Sequence, residues 1–180
     1  MWDKFRRHVL TCEMKQADPQ ETFHVFRYSL RLRRYGQSRQ PMKDHFAQFS
    51  SYNKWANARL YEAALALDEA DYRRDVGAFF KSLHGTLNHL LVTDRIWMKR
   101  LTGEGEHPDR LSAIIHEDRQ QLALARADED ERIVRFVALL DESTLSSAFE
   151  YSTTSGKPFK QVRTDVLSHL FNHQTHHRGQ

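Results

Sequence analysis

From Phe46 onward the chain alternates apolar and polar positions with the period of a helix. Phe49, Tyr52, Ala56, Leu60, Ala63 and Leu67 recur at steps of three and four, which predicts one buried stripe of a first helix. Residues 68–75 read as a polar connection. Phe80, Leu83, Leu87, Leu90, Trp97 and Leu101 mark the inner face of a second helix, stopped by Gly103 and Gly105. Asp94 falls on that inner stripe, where a carboxylate needs a partner because burying an unpaired charge is costly. A third helix is predicted over residues 113–140 from Ile115, Leu122, Ala125, Ile133, Phe136 and Leu140. Its charge run Asp128-Glu129-Asp130-Glu131 reads as a solvated face. The period then changes. Residues 148–153 alternate apolar and polar, and Ser155-Gly156 offers a turn, which predicts a short hairpin or extended excursion. A fourth helix is predicted from near Phe159, carrying Val162, Val166, either His169 or Leu170, His173 and His177 inward. Four amphipathic helices with one long connection predict an all-α fold, a four-helix bundle.

Composition sharpens this. The chain has 180 residues, enough for one domain with a substantial core. Seven Gly and four Pro leave room for long helices. No apolar run reaches the roughly 18 residues of a membrane span, and no apolar signal core opens the chain. The single cysteine, Cys12, excludes an intrachain disulfide and fits a reducing compartment, so a cytoplasmic location is expected. Charge divides the chain in two. Residues 1–41 hold nine Lys/Arg against four Asp/Glu, while residues 42–180 hold eighteen against twenty. Nucleic-acid binding would need its basic patch on the folded body, which is mildly acidic, so no nucleic-acid partner is expected. Residues 1–41 read as a basic N-terminal extension preceding a natural start at Met42, with a basic arm for membrane or nucleic acid as the other reading.

The closing run, residues 169–180, carries the chemistry. On a helix His173 and His177 lie on one face, with Cβ atoms about 5–6 Å apart, and both can reach one cation. His89, beside the inner position Leu90, offers a third imidazole from the second helix. Three protein ligands with an open position are the pattern of catalytic zinc, and the absence of Cys argues against a structural thiolate site. Spacing alone leaves His169 with His173 as an alternative pair, and such a pair in a helix often binds nothing. His84, His107 and His116 read as surface or loop residues, and His176 as turned away. Asp94 reads as an acceptor for a ligand imidazole or as the ion-pair partner of an arginine. Trp55 and Trp97 read as core.

Three stretches carry a family resemblance: Tyr52-Asn53-Lys54-Trp55-Ala56-Asn57-Ala58-Arg59-Leu60-Tyr61; residues 83–97 with Arg100-Leu101-Thr102-Gly103; and His169-Leu170-Phe171-Asn172-His173-Gln174-Thr175-His176-His177-Arg178-Gly179-Gln180. Residues 42–180 resemble the DinB/YfiT-like family on these motifs, the second and third in order and about 80 residues apart. The resemblance implies an up-down-down-up four-helix bundle, commonly a homodimer. It also implies His89, His173 and His177 as ligands of a divalent metal, zinc or nickel. Relatives with known reactions are thiol-dependent transferases and isomerases, implying a low-molecular-weight thiol and an electrophilic substrate as partners. Metal-assisted hydrolysis, with Asp94 or His176 as the base, and a non-catalytic stress-response metal-binding role are the alternatives. The family's last helix usually runs on past Arg-Gly-Gln, so continuation of this helix beyond Gln180 is expected.

Overall fold

Side-chain caps set where the helices begin in the computed structural model, which describes residues 41–180 apart from His107 and Thr154. The long helix α1 spans Pro41–Leu65, followed by the short α2, Glu69–Arg73. Helix α3 (Leu83–Thr102) precedes α4 (Arg119–Leu139) and the short α5 (Glu142–Ser146). Strands β1 (Ala148–Ser152) and β2 (Pro158–Val162) lead into α6, Arg163–Arg178. Asp68, Ser82, Asp118 and Asp141 each accept a backbone N–H three residues ahead, satisfying an orphan donor of α2, α3, α4 and α5 in turn. Gly103 stops α3 in the left-handed conformation at φ 77°, with its N–H on the Lys99 carbonyl, a geometry that costs glycine little.

The described protein is mainly α. Helix α1 packs on α4 and α6, and α3 packs on the same two helices. One apolar cluster joins Phe46 of α1, Met98 of α3, Ile133 and Val137 of α4, and Leu167, Leu170 and Phe171 of α6. A second joins Tyr61, Ala64, Tyr72, Leu87, Leu91 and Leu122. Along α1, α3 and α4 a buried polar stretch separates the two: Asn53 and Asn57, then Asp94, then Arg126 and Asp130. Helices α3 and α4 run from the second cluster to the first, whereas α1 runs the other way. Helix α6 leaves the first cluster towards the polar layer, where Gln174 is buried.

Several expectations change. Helix α1 does not bury its most apolar stripe. Phe49, Tyr52 and Trp55 are 40%, 51% and 50% exposed, so Trp55 is not core, and the helix instead buries Phe46, Ser50, Asn53, Asn57, Tyr61 and Ala64. The reason lies on α4. Asp130 accepts from Asn53 Nδ2 at 3.2 Å and from Asn57 Nδ2 at 3.0 Å, so the amide face turns inward. Glu129 and Asp130 are therefore buried, not part of a solvated face. Residues 68–75 contain α2, which buries Tyr72. The third helix starts at Arg119 and not at residue 113, because Asp118 caps it. The expected hairpin is present: β1 and β2 pair antiparallel from Ala148 opposite Val162 to Ser152 opposite Pro158. Phe159 belongs to β2, so the last long helix begins at Arg163. Its inward position is Leu170, with His169 exposed. Trp97 is half-buried against the first cluster. No described helix is long and apolar enough to cross a membrane. The extension reading of residues 1–41 concerns residues 1–40, which lie outside the described part, as does the reading of His107.

Candidate metal centre

Helix α3 brings His89 to the site, and one face of α6 brings His173 and His177, four residues apart. Nε2 of His173 lies 3.2 Å from Nε2 of His89 and 3.1 Å from Nε2 of His177. The ligand atoms of all three lie within 4.8 Å of one another. The tautomers follow from the outer nitrogens. A carbonyl only accepts, so His89 Nδ1 donates to Leu111 O at 2.9 Å; likewise His177 Nδ1 donates to Gln180 Oε1 at 2.7 Å. When neutral, both rings therefore turn a bare Nε2 lone pair towards Nε2 of His173. One proton on His173 can satisfy only one of these contacts, leaving lone pairs facing one another. A cation among the three removes that conflict. Two nitrogens bound tetrahedrally at the usual Zn–N length of about 2.0–2.1 Å stand about 3.3 Å apart, close to the observed spacings. The donor set fits a divalent metal with an open position.

The surroundings keep these rings neutral. Burial, reinforced by the neighbouring imidazoles, pushes His173 down to about 3. Burial also lowers His89, with the bond to Leu111 partly opposing it, and lowers His177, with the bond to Gln180 opposing. Neutral imidazole is the form that binds a metal.

Phe80 walls the site. Its ring stacks on His89 at 3.7 Å and 19°, and its edge meets His177 at 5.8 Å. This ring was expected on the second helix, but the turn before α3 holds it. Val76 N–H reaches Lys81 O at 2.8 Å, Lys81 N–H reaches Ala78 O at 2.8 Å, and Lys81 itself sits at φ 66°. Gly85 is what lets the turn lie so close: a Cβ there would stand 2.1 Å from the Phe80 carbonyl oxygen. The loop supplying the Leu111 carbonyl is tied down by Asn88, whose Oδ1 accepts the N–H groups of Ile115 and His116 at 2.9 and 3.0 Å. No periodicity marks Phe80 or Leu111 as part of a site. The Ser82 cap and Gly85 were the available signals for the turn.

Other histidines stand apart. His84, expected at the surface, is buried; its Nδ1 lies 3.3 Å from Tyr72 Oη, and burial lowers its pKa. His116 lies in the loop before α4, as expected. His176 is exposed; its ring meets His177 at 5.0 Å, and its Nε2 lies 3.3 Å from Nε2 of the Gln180 that holds His177.

Asp94 does not support a ligand imidazole. It pairs with Arg126 Nη1 at 2.7 Å and accepts from Gln174 Nε2 at 2.6 Å. Arg126 also meets Asp130 at 3.1 Å. Arg178 Nη1 donates to Asn53 Oδ1 at 2.6 Å and Asn57 Oδ1 at 3.0 Å, which joins α6 to α1 beside the histidines. Asn53 and Asn57, four apart on an apolar helix, were the legible trace of this network.

Residues 42–180 match the DinB family. The chain is also similar to Protein DinB of Bacillus subtilis (strain 168), 24% identical over 144 residues that cover 77% of this chain and 83% of that protein. With the match running across all of α3 and α6, the chain belongs to the DinB family.

Proposed function

We propose that this protein is a metal-dependent thiol S-transferase in which His89, His173 and His177 hold a divalent ion, zinc or nickel. The observation that carries the reading is the convergence of three Nε2 atoms, with 3.1 and 3.2 Å separations, whose outer nitrogens are already committed at His89 and His177. When bound, the ion would lower the pKa of a low-molecular-weight thiol presented at its remaining position, so that thiolate is available at neutral pH. The chain's own residues prepare for this. Leu111 and Gln180 hold two imidazoles in the ligating tautomer, and Phe80 covers one side of His89 against water. A four-helix bundle of up-down-down-up sense is the architecture proposed, supported by the opposed directions of α1 and α3 through the two apolar clusters.

Hydrolysis is disfavoured because neither expected base is available: Asp94 is spent on Arg126 and Gln174, and His176 faces solvent. A non-catalytic stress-response metal-binding role remains the alternative, and turnover of an electrophile by metal-loaded protein with thiol separates the two. A homodimer is proposed as well, with the exposed Phe49, Tyr52 and Trp55 supplying apolar surface; sedimentation velocity measures it. The cytoplasmic location rests on the single Cys12.

The test is metal stoichiometry. Protein purified without added metal should carry close to one equivalent, and His173→Ala should lose it; full retention refutes the ligand set. With cobalt as the probe, a thiol should shift the visible spectrum, and an unchanged spectrum argues for the non-thiol readings.

A further inference from the structure

Arg100 differs from the other arginines drawn into the fold. Arg126 meets Asp94 and Asp130, Arg132 meets Glu129, and Arg178 donates to Asn53 and Asn57. Arg100 is half-buried, yet among the described residues it has neither a carboxylate nor a hydrogen-bond acceptor. Its guanidinium lies instead over two ring faces, Trp97 at 4.6 Å and Tyr151 at 5.0 Å. Burial lowers its pKa, with Tyr151 partly opposing it. A guanidinium held against ring faces without an acceptor keeps N–H donors free, and those donors match the oxygens of a carboxylate or phosphate.

Its position connects it to the histidines. Eleven residues along α3 separate it from His89, about three full turns, so both lie on nearly the same face, and its side chain leans back towards the N-terminus. On the facing helix, His169 comes one turn before His173. The rings form a continuous strip: His173 to His169 at 5.9 Å, His169 to Trp97 at 5.4 Å, and Trp97 to the Arg100 guanidinium at 4.6 Å. The strip places its two ends on the order of 10–15 Å apart, roughly the length of an extended tri- or tetrapeptide.

We infer that Arg100, backed by Trp97 and Tyr151, binds the anionic oxyacid group of a substrate whose reacting end lies at His89, His173 and His177. The inference rests on the triad being the reaction site, and it narrows the substrate to a small molecule with a carboxylate or phosphate well removed from its sulfur. Trp97 and Tyr151 hold the cation in place and exclude water from one face, which strengthens its pull on an anion.

The experiment is calorimetric titration of the full chain, zinc-loaded and metal-free. The probes are S-methylglutathione, its dimethyl ester and inorganic phosphate. S-methylglutathione has no thiol to supply a thiolate, and in metal-free protein it reports the anion position alone. The acid should bind at least tenfold more tightly than the ester. Arg100→Met, which keeps contact with the rings, should remove that preference and leave the ester's affinity unchanged. Arg100→Lys should keep part of it, which guards against a folding defect in the first variant. Phosphate displacing the acid and binding more tightly identifies a phosphate position; the reverse order identifies a carboxylate. Equal affinity for acid and ester, an unaltered preference in Arg100→Met, or no anion binding at all overturns the inference. The preference is read in metal-free protein too, so its failure is distinct from failure of the metal reading, which His173→Ala tests separately.

Discussion

The network around Arg126 and the histidine triad both draw polar side chains of α3 and α6 out of water, but they are completed differently. In the network every carboxylate has a cation or amide within reach: Asp94 has Arg126 and Gln174, and Asp130 has Arg126, Asn53 and Asn57. The triad gathers three Nε2 atoms, two of them bare acceptors, that among the described residues face one another. A closed set of charges ties helices together. An open set of lone pairs is a place for a ligand. Burial of polar atoms is common to both, so burial alone does not mark a functional site; the convergence of ligating lone pairs inside it does.

The largest effect that would sharpen this contrast comes from the closed set. Arg126→Met should destabilise the protein by about 3–5 kcal/mol, because Asp94 and Asp130 are left buried without their shared cation. Urea denaturation measures it, and a loss under about 1 kcal/mol would show that the network does not hold the helices as described. Removing one histidine of the open set should do the opposite to metal-free protein, changing its stability little or raising it.

Next is the wall of the triad. Gly85→Ala should cost about 1–3 kcal/mol by forcing the Phe80 turn away from α3. It should also weaken metal binding, since Phe80 stacks on a ligand ring. Unchanged stability together with unchanged metal affinity would mean the turn is not held against Gly85.

A pH dependence tests the open set from another side. His173 is pushed down to about 3 in the fold, against an ordinary value of 6.5 for the unfolded chain. Between those limits the unfolded chain binds more protons, so its stabilising share is complete above about 6.5 and is lost progressively as pH falls towards 3. Thermal melts of metal-free protein from pH 8 to pH 4 should show this decline, and His173→Ala should flatten it. An identical slope in the variant would place the lost stability elsewhere.

Much of the molecule was legible in the order of its residues, for reasons that are local. Ser82 and Asp118 cap α3 and α4 through local bonds to a backbone N–H three residues on, yet the apolar pattern alone began the third helix at residue 113 and put Phe80 on the second. Gly103 ends α3 for a similarly local reason, and the change of period at residues 148–153 announces the hairpin. His173 and His177 share a face because a helix turns every 3.6 residues, and the family motifs that include them add His89. Tertiary structure decided what depends on a facing helix. The hydrophobic count on α1 favours Phe49, Tyr52 and Trp55, yet Asp130 of α4 draws Asn53 and Asn57 inward, because a buried carboxylate gains more from two amide donors than an aromatic ring gains from the core. The same dependence placed Phe80 on His89 and left Arg100 against two rings with no carboxylate beside it among the described residues. Side-chain partners far apart along the chain meet only after the helices pack, and no local periodicity encodes which of them will find an acceptor.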